Sequence, residues 1–164
     1  MVRGVGDSVE SVVGRLLEAR ALTLAVVESC TGGLVSHRLT NVPGSSAYYV
    51  GAVVAYARRV KEALLGVSPE TLRQYGAVSE QTAGEMAQGV RRLLGADVGL
   101  AVTGIAGPGG GRPGKPVGLV YLALAAEDVT HVERHVWSGD RLANKAQSAE
   151  RVLEMLWAHL EGAR

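Results

Sequence analysis

The chain switches repeatedly between two hydrophobic periods, and that alternation constrains its fold more than any other feature. Val9, Val12, Val13, Leu16 and Leu17 recur at helical spacing, with Asp7 or Ser8 placed to cap the stripe. The run "LTLAVVE" (22–28) reads as a buried strand, and a helix follows over roughly 33–40. "NVPGSS" (41–46) is turn chemistry. "YYVGAVVAYA" (48–57) is a strand, and "RRVKEALLG" (58–66) a short helix stopped by Gly66. "SPETLRQYG" is a second short helix with Pro69 at its first position, and 79–95 a longer one between the Ser79 cap and the Gly95 stop. "DVGLAVTG" (97–104) is a strand that opens into a glycine/proline loop reaching about residue 116. "VGLVYLALAA" and "VTHVERHVW" pair across the "EDV" turn, and 140–164 closes the chain as an amphipathic helix. Such alternation implies a layered α/β domain, with helices covering both faces of a mixed sheet.

No repeat, linker or compositional break divides the 164 residues, so a single domain is expected. Hydrophobic residues at 47% against 20% charged place the chain among globular rather than disordered proteins. A net charge of +1 gives no footprint for nucleic acid or an anionic membrane. The one cysteine, Cys30, excludes an internal disulfide and a cysteine-based zinc cluster. Asp7, Glu10, Arg15 and Glu18 interrupt the N-terminal apolar positions, which therefore read as an amphipathic helix rather than a leader peptide. No apolar run approaches membrane-spanning length, and a cytoplasmic location is the expectation.

Two phosphate-loop motifs in the glycine-rich stretch fail on context. "GGGRPGKP" (109–116) fits G-x-x-x-x-G-K, but Pro116 stands where the magnesium-binding Ser or Thr belongs. "GGGRPG" (109–114) fits G-x-G-x-x-G, yet this segment too runs into a strand, whereas both motifs must open a helix.

The stretch "VVESCTGGLVSH" has the right context. Its strand ends at Glu28, and Gly32–Gly33 let the backbone turn into a helix, leaving Ser29, Cys30 and Thr31 at the C-terminal edge of the sheet. Free N–H groups at the helix start would accept a substrate anion or a developing oxyanion. The same residues also fit a plain capped helix, with Ser29 or Thr31 satisfying a backbone donor. A second stretch, "VVAYARRVKEALLG", puts Tyr56 at a strand end and Lys61 one turn into the next helix. A lysine serves as base to a serine only when burial and nearby positive charge bring its pKa towards neutrality. Arg58, three residues before Lys61 on the same helical face, is a candidate for that charge. An ordinary surface lysine fits the spacing as well.

The segments "ESCTGG", "AYARRVK", "LLGV", "YGAVSE", "TGIAGPGGG", "KPVGLVYLALA" and "WSGDR" resemble, in order and spacing, the CinA C-terminal domain family over about residues 8–160. The resemblance implies a three-layer α/β/α domain that commonly forms a homodimer. Characterised members are amidases that hydrolyse nicotinamide mononucleotide to nicotinate mononucleotide and ammonia, with no metal or other cofactor. By the same resemblance Ser29 is the nucleophile and Lys61 its base, with Tyr56 close by. Amides near Thr31, Gly32 and Gly33, with the Thr103–Gly104 turn, are then candidate oxyanion donors. Arg141 of "WSGDR" is a candidate phosphate contact through its fork geometry, or else a surface residue at the start of the last helix. Asp140 reads as that helix's cap, and Cys30 as a packed small hydrophobe facing away from Ser29. His131 and His135 share a strand face, but no third ligand accompanies them and no metal site is expected.

Two departures stand out. Many members carry Asn-Glu between the tyrosine and the lysine, where this chain has Arg58 and Arg59. If that glutamate positions the lysine, its support is missing here. The family also includes longer proteins in which a separate nucleotide-processing domain precedes this one. A related amidase for another small carboxamide, and a non-catalytic binding module on the same fold, are the alternative readings.

Overall fold

The computed structural model describes residues 7–162. Five strands form one mixed sheet in the order β2-β1-β3-β4-β5. Strand β1 (Leu24–Glu28) lies between β2 (Tyr49–Val54) and β3 (Val98–Gly104), parallel to both. Strands β4 (Leu119–Ala125) and β5 (Thr130–Val136) continue the sheet antiparallel, as the short turn between them requires. Among the described residues the helices are α1 (Val9–Ala19), α2 (Leu34–Thr40), α3 (Arg58–Leu65), α4 (Pro69–Gln74), α5 (Glu80–Leu94) and α6 (Arg141–Gly162), with a 3-10 turn at Ser45–Ala47.

Strand alternation divides the core in two. Leu24 and Val26 of β1, Leu100 and Val102 of β3, and Val120, Leu122 and Leu124 of β4 pack under α1, α2 and α6. The opposite face carries Ala25, Val27, Ala101, Ala123 and Ala125 under α4 and α5. Those small side chains let α5 lie close. A Cβ on Gly99 of β3 would collide with the Ala87 carbonyl, and one on Gly89 of α5 with the Leu65 carbonyl of α3. The fold is the three-layer α/β/α sandwich expected.

Element boundaries differ from expectation in modest ways. Strand β2 ends at Val54 rather than 57, since Ala55 and Tyr56 turn their carbonyls towards α3. Ser8, not Asp7, caps α1, through Ser8 Oγ and the Ser11 amide. The last two residues of the helix expected over 140–164 lie outside the described residues. Among the described residues no helix is long and apolar enough to cross a membrane.

From β1 the chain crosses through α2 on one face to reach β2. It returns through α3, α4 and α5 on the other face to β3, on the far side of β1. The C-terminal ends of β1 and β3 therefore border a topological switch point, where open α/β sheets bind ligands.

Candidate active site

Residues after β1, β2 and β3 meet at that switch point around a pocket of about 280 Å³. Ser29, Tyr56, Lys61, Ala77, Val78, Thr103, Gly104 and Arg141 line it, with Cys30 and the glycine-rich segment from Ile105 to Gly110 at its border.

Lys61 is only 1% exposed although it carries an ammonium group. Its Nζ lies 3.0 Å from Ser29 Oγ, 2.5 Å from the Ala55 carbonyl and 3.3 Å from the Tyr56 carbonyl. Burial pushes its pKa from 10.5 down to about 8. Two carbonyls take two N–H bonds, so the neutral amine keeps its lone pair for the Ser29 hydroxyl. Arg58 plays no part in this shift. Its guanidinium turns to the Leu72 carbonyl, which corrects the expectation of a like-charge contribution. Where many family members have a glutamate this chain has Arg59, and main-chain carbonyls hold the lysine.

The elbow at 28–36 is built differently from expectation. Glu28 is fully buried, and its carboxylate accepts from the amides of Gly33 (3.0 Å), Val35 (3.1 Å) and Ser36 (2.9 Å) and from the Ser36 hydroxyl (2.7 Å). The start of α2, with Gly33 in the left-handed region (φ 102) and no cap of its own, is thus neutralised from within the chain. The Gly33 amide is taken and the Gly32 amide donates to the Ser29 carbonyl, so neither is free for an oxyanion. Thr31 is buried with its hydroxyl unpaired, and none of Thr31, Gly32 and Gly33 lines the pocket.

The other side chains fall into place around this dyad. Cys30 packs into the core under α2 and α6, and burial pushes its thiol up to about 11, so it stays protonated. Thr103 donates to the Ala77 carbonyl at 2.7 Å. A Cβ on Gly104 would crowd Val120 and the Leu119 carbonyl, so glycine permits the close approach of β4 there. Arg141, at the first position of α6, donates to the Gly107 carbonyl (2.7 Å) and the Tyr56 hydroxyl (3.2 Å). Asp140 caps α6 through the Ala143 amide. His135 and His131 turn to Glu133, and among the described residues no group of three or more His, Cys, Asp or Glu side chains is arranged to hold a metal.

Three contributors escaped the sequence reading. Glu28 looked like a strand terminus, although a carboxylate closing a fully apolar run is itself the signal of a buried cap. Asn144, 1% exposed, donates to the Ala106 carbonyl and accepts from the Gly139 amide, and nothing in its helical context marks it. Residues 77–78 join the pocket only through tertiary packing.

A domain of this topology, with a buried lysine beside a serine elbow at the switch point of its sheet, is a three-layer α/β domain with a built pocket. The chain belongs to the CinA C-terminal domain family, whose model matches residues 6–160. A CinA-like protein of Salinibacter ruber is 51% identical over 152 residues, covering 92% of this chain and 37% of that protein. One of Thermotoga neapolitana is 48% identical over 155 residues, covering 94% and 38%. The chain thus spans well under half the length of these curated relatives. Among solved structures, the competence damage-inducible protein A of Klebsiella pneumoniae superposes with a TM-score of 0.91 at 34% identity, covering 96% of this chain and 100% of that one. A competence/damage inducible protein of Agrobacterium tumefaciens gives 0.88 at 40% identity, covering 93% and 95%.

Proposed function

We propose that the chain is an amidase that hydrolyses the carboxamide of nicotinamide mononucleotide to nicotinate mononucleotide and ammonia. The observation that carries the chemistry is the 3.0 Å contact between Lys61 Nζ and Ser29 Oγ in a buried setting. The substrate follows from the family resemblance.

Neutral Lys61 takes the Ser29 proton as Oγ adds to the carboxamide carbon. The carbonyl oxygen becomes an oxyanion, for which main-chain amides beside the nucleophile are the donors. The C–N bond then breaks, and the Lys61 ammonium gives its proton to the departing nitrogen, releasing ammonia. Water adds to the resulting ester and passes its proton to Lys61. The C–Oγ bond breaks, Ser29 recovers a proton and the acid leaves. No metal or cofactor enters these steps. Tyr56 and Arg141 flank the pocket mouth, Arg141 as the fork for the 5′-phosphate. A homodimer and a cytoplasmic setting belong to the same proposal.

The test is ammonia release from nicotinamide mononucleotide, nicotinamide riboside and free nicotinamide. The reading expects the mononucleotide to give the highest kcat/KM. Faster turnover of a carboxamide without the phosphate would move the assignment to another small amide.

A further inference from the structure

Lys115 sits in the stretch that mimics a phosphate loop, and its ammonium has a different task. It donates to the carbonyls of Tyr75 (2.5 Å) and Val78 (2.6 Å). Between these, the Gly76 carbonyl accepts from Ser79 Oγ (3.1 Å) and Thr82 Oγ1 (2.7 Å), and the Ala77 carbonyl from Thr103 Oγ1 (2.7 Å). Four consecutive carbonyls outside any helix or strand thus each end on a side-chain donor. That is how an irregular segment satisfies its backbone and holds one shape. Gly76 adopts φ +80, a conformation that favours glycine, and a Cβ there would stand 3.2 Å from Arg112 Nη2 and 3.3 Å from Lys115 Nζ.

Ala77 and Val78 form one wall of the Ser29 pocket, and Gly107, Gly109 and Gly110 another. The glycine wall is pinned at one end to α6, through Asn144 to Ala106 and Arg141 to Gly107. At its other end Arg112 and Lys115 exchange backbone hydrogen bonds at 2.9 Å, closing the turn that carries Lys115. The ammonium therefore ties the two walls together, with Gly109 and Gly110 spanning the interval between the pins.

We propose that Lys115 is a positioning residue: by clamping 75–78 to the glycine-rich loop it sets the width of the pocket that receives the ligand. The proposal rests on the amidase reading of this pocket. Ser29 and Lys61 are held by other contacts, so the clamp acts on binding rather than on the chemical step.

Lys115→Met keeps the stem and deletes the donor, while Lys115→Arg keeps a cation. For Lys115→Met, KM for nicotinamide mononucleotide is expected to rise about tenfold with kcat within about twofold, since hydrogen bonds from charged donors are of that strength. Hydrogen exchange should quicken in peptides covering 70–82 and stay unchanged over 24–36. Lys115→Arg should restore most of the affinity. Should Lys115→Met fail to fold, Lys115→Gln, whose shorter neutral side chain cannot span both carbonyls, is expected to raise KM in the same direction. An unchanged KM overturns the proposal, whether or not exchange quickens, because a merely structural tie would leave binding by the folded protein intact. If the wild type does not turn over the mononucleotide, the amidase reading fails by itself. The Kd for the mononucleotide then decides the clamp: weaker binding by Lys115→Met retains it and equal binding removes it.

Discussion

The hydroxyl and the amide of Ser36 both close on one oxygen of Glu28, at 2.7 and 2.9 Å. The strand that delivers Ser29 therefore also supplies the cap of the helix that follows it. The partial positive charge of α2 is spent on Glu28, which separates holding the elbow from stabilising the reaction. In Glu28→Gln one acceptor oxygen becomes an NH2 group facing backbone N–H donors. Urea unfolding should show a loss of about 2–3 kcal/mol, against about 1 kcal/mol for Ser36→Ala.

Lys61 predicts a pH dependence of both activity and stability. Only the neutral amine accepts the Ser29 proton, so kcat/KM should rise with pH and level off above an apparent pKa of about 8. For stability, the folded-state pKa lies below the unfolded value of 10.5, so between the two the unfolded chain binds the extra proton. The penalty of burying the charge is full below pH 8 and is relieved as the pH rises towards 10.5. Relative to Lys61→Met, the wild type should gain about 3 kcal/mol across that window, measured by denaturant titration at each pH.

Much of this was legible in the sequence, and the reasons are physical. "LTLAVVE" and "DVGLAVTG" are apolar on both faces because helices cover both faces of their sheet, so their burial could be read without a partner in view. Ser29 could be placed because two glycines fix the turn after a strand. The error at Gly33 arose because a helix start looks vacant until its cap is known, and here the cap lies five residues upstream in a different element. The expected influence of Arg58 on Lys61 failed similarly. Position on a helix face does not decide which way a long side chain reaches, and Arg58 turns towards Leu72. Asn144 and the 75–78 wall depend on contacts far apart in sequence, which no local pattern encodes.

Gly89 predicts a coupling between packing and the dyad. A methyl group there would meet the Leu65 carbonyl at the end of α3, one turn beyond Lys61. Gly89→Ala should push α3 away from α5 and cost about 1–3 kcal/mol by overpacking. Activity should fall more than in a surface control such as Gln88→Ala, because α3 carries Lys61, the proposed base. Thermal unfolding and initial rates on the same preparations check both effects.

The central claim is tested most directly by ammonia release from nicotinamide mononucleotide, comparing the wild type with Ser29→Ala at matched folding by circular dichroism. Turnover by the wild type and its loss by at least about a thousandfold in Ser29→Ala is the predicted result. Turnover that survives the substitution would contradict the account, because the nucleophile would then be another group.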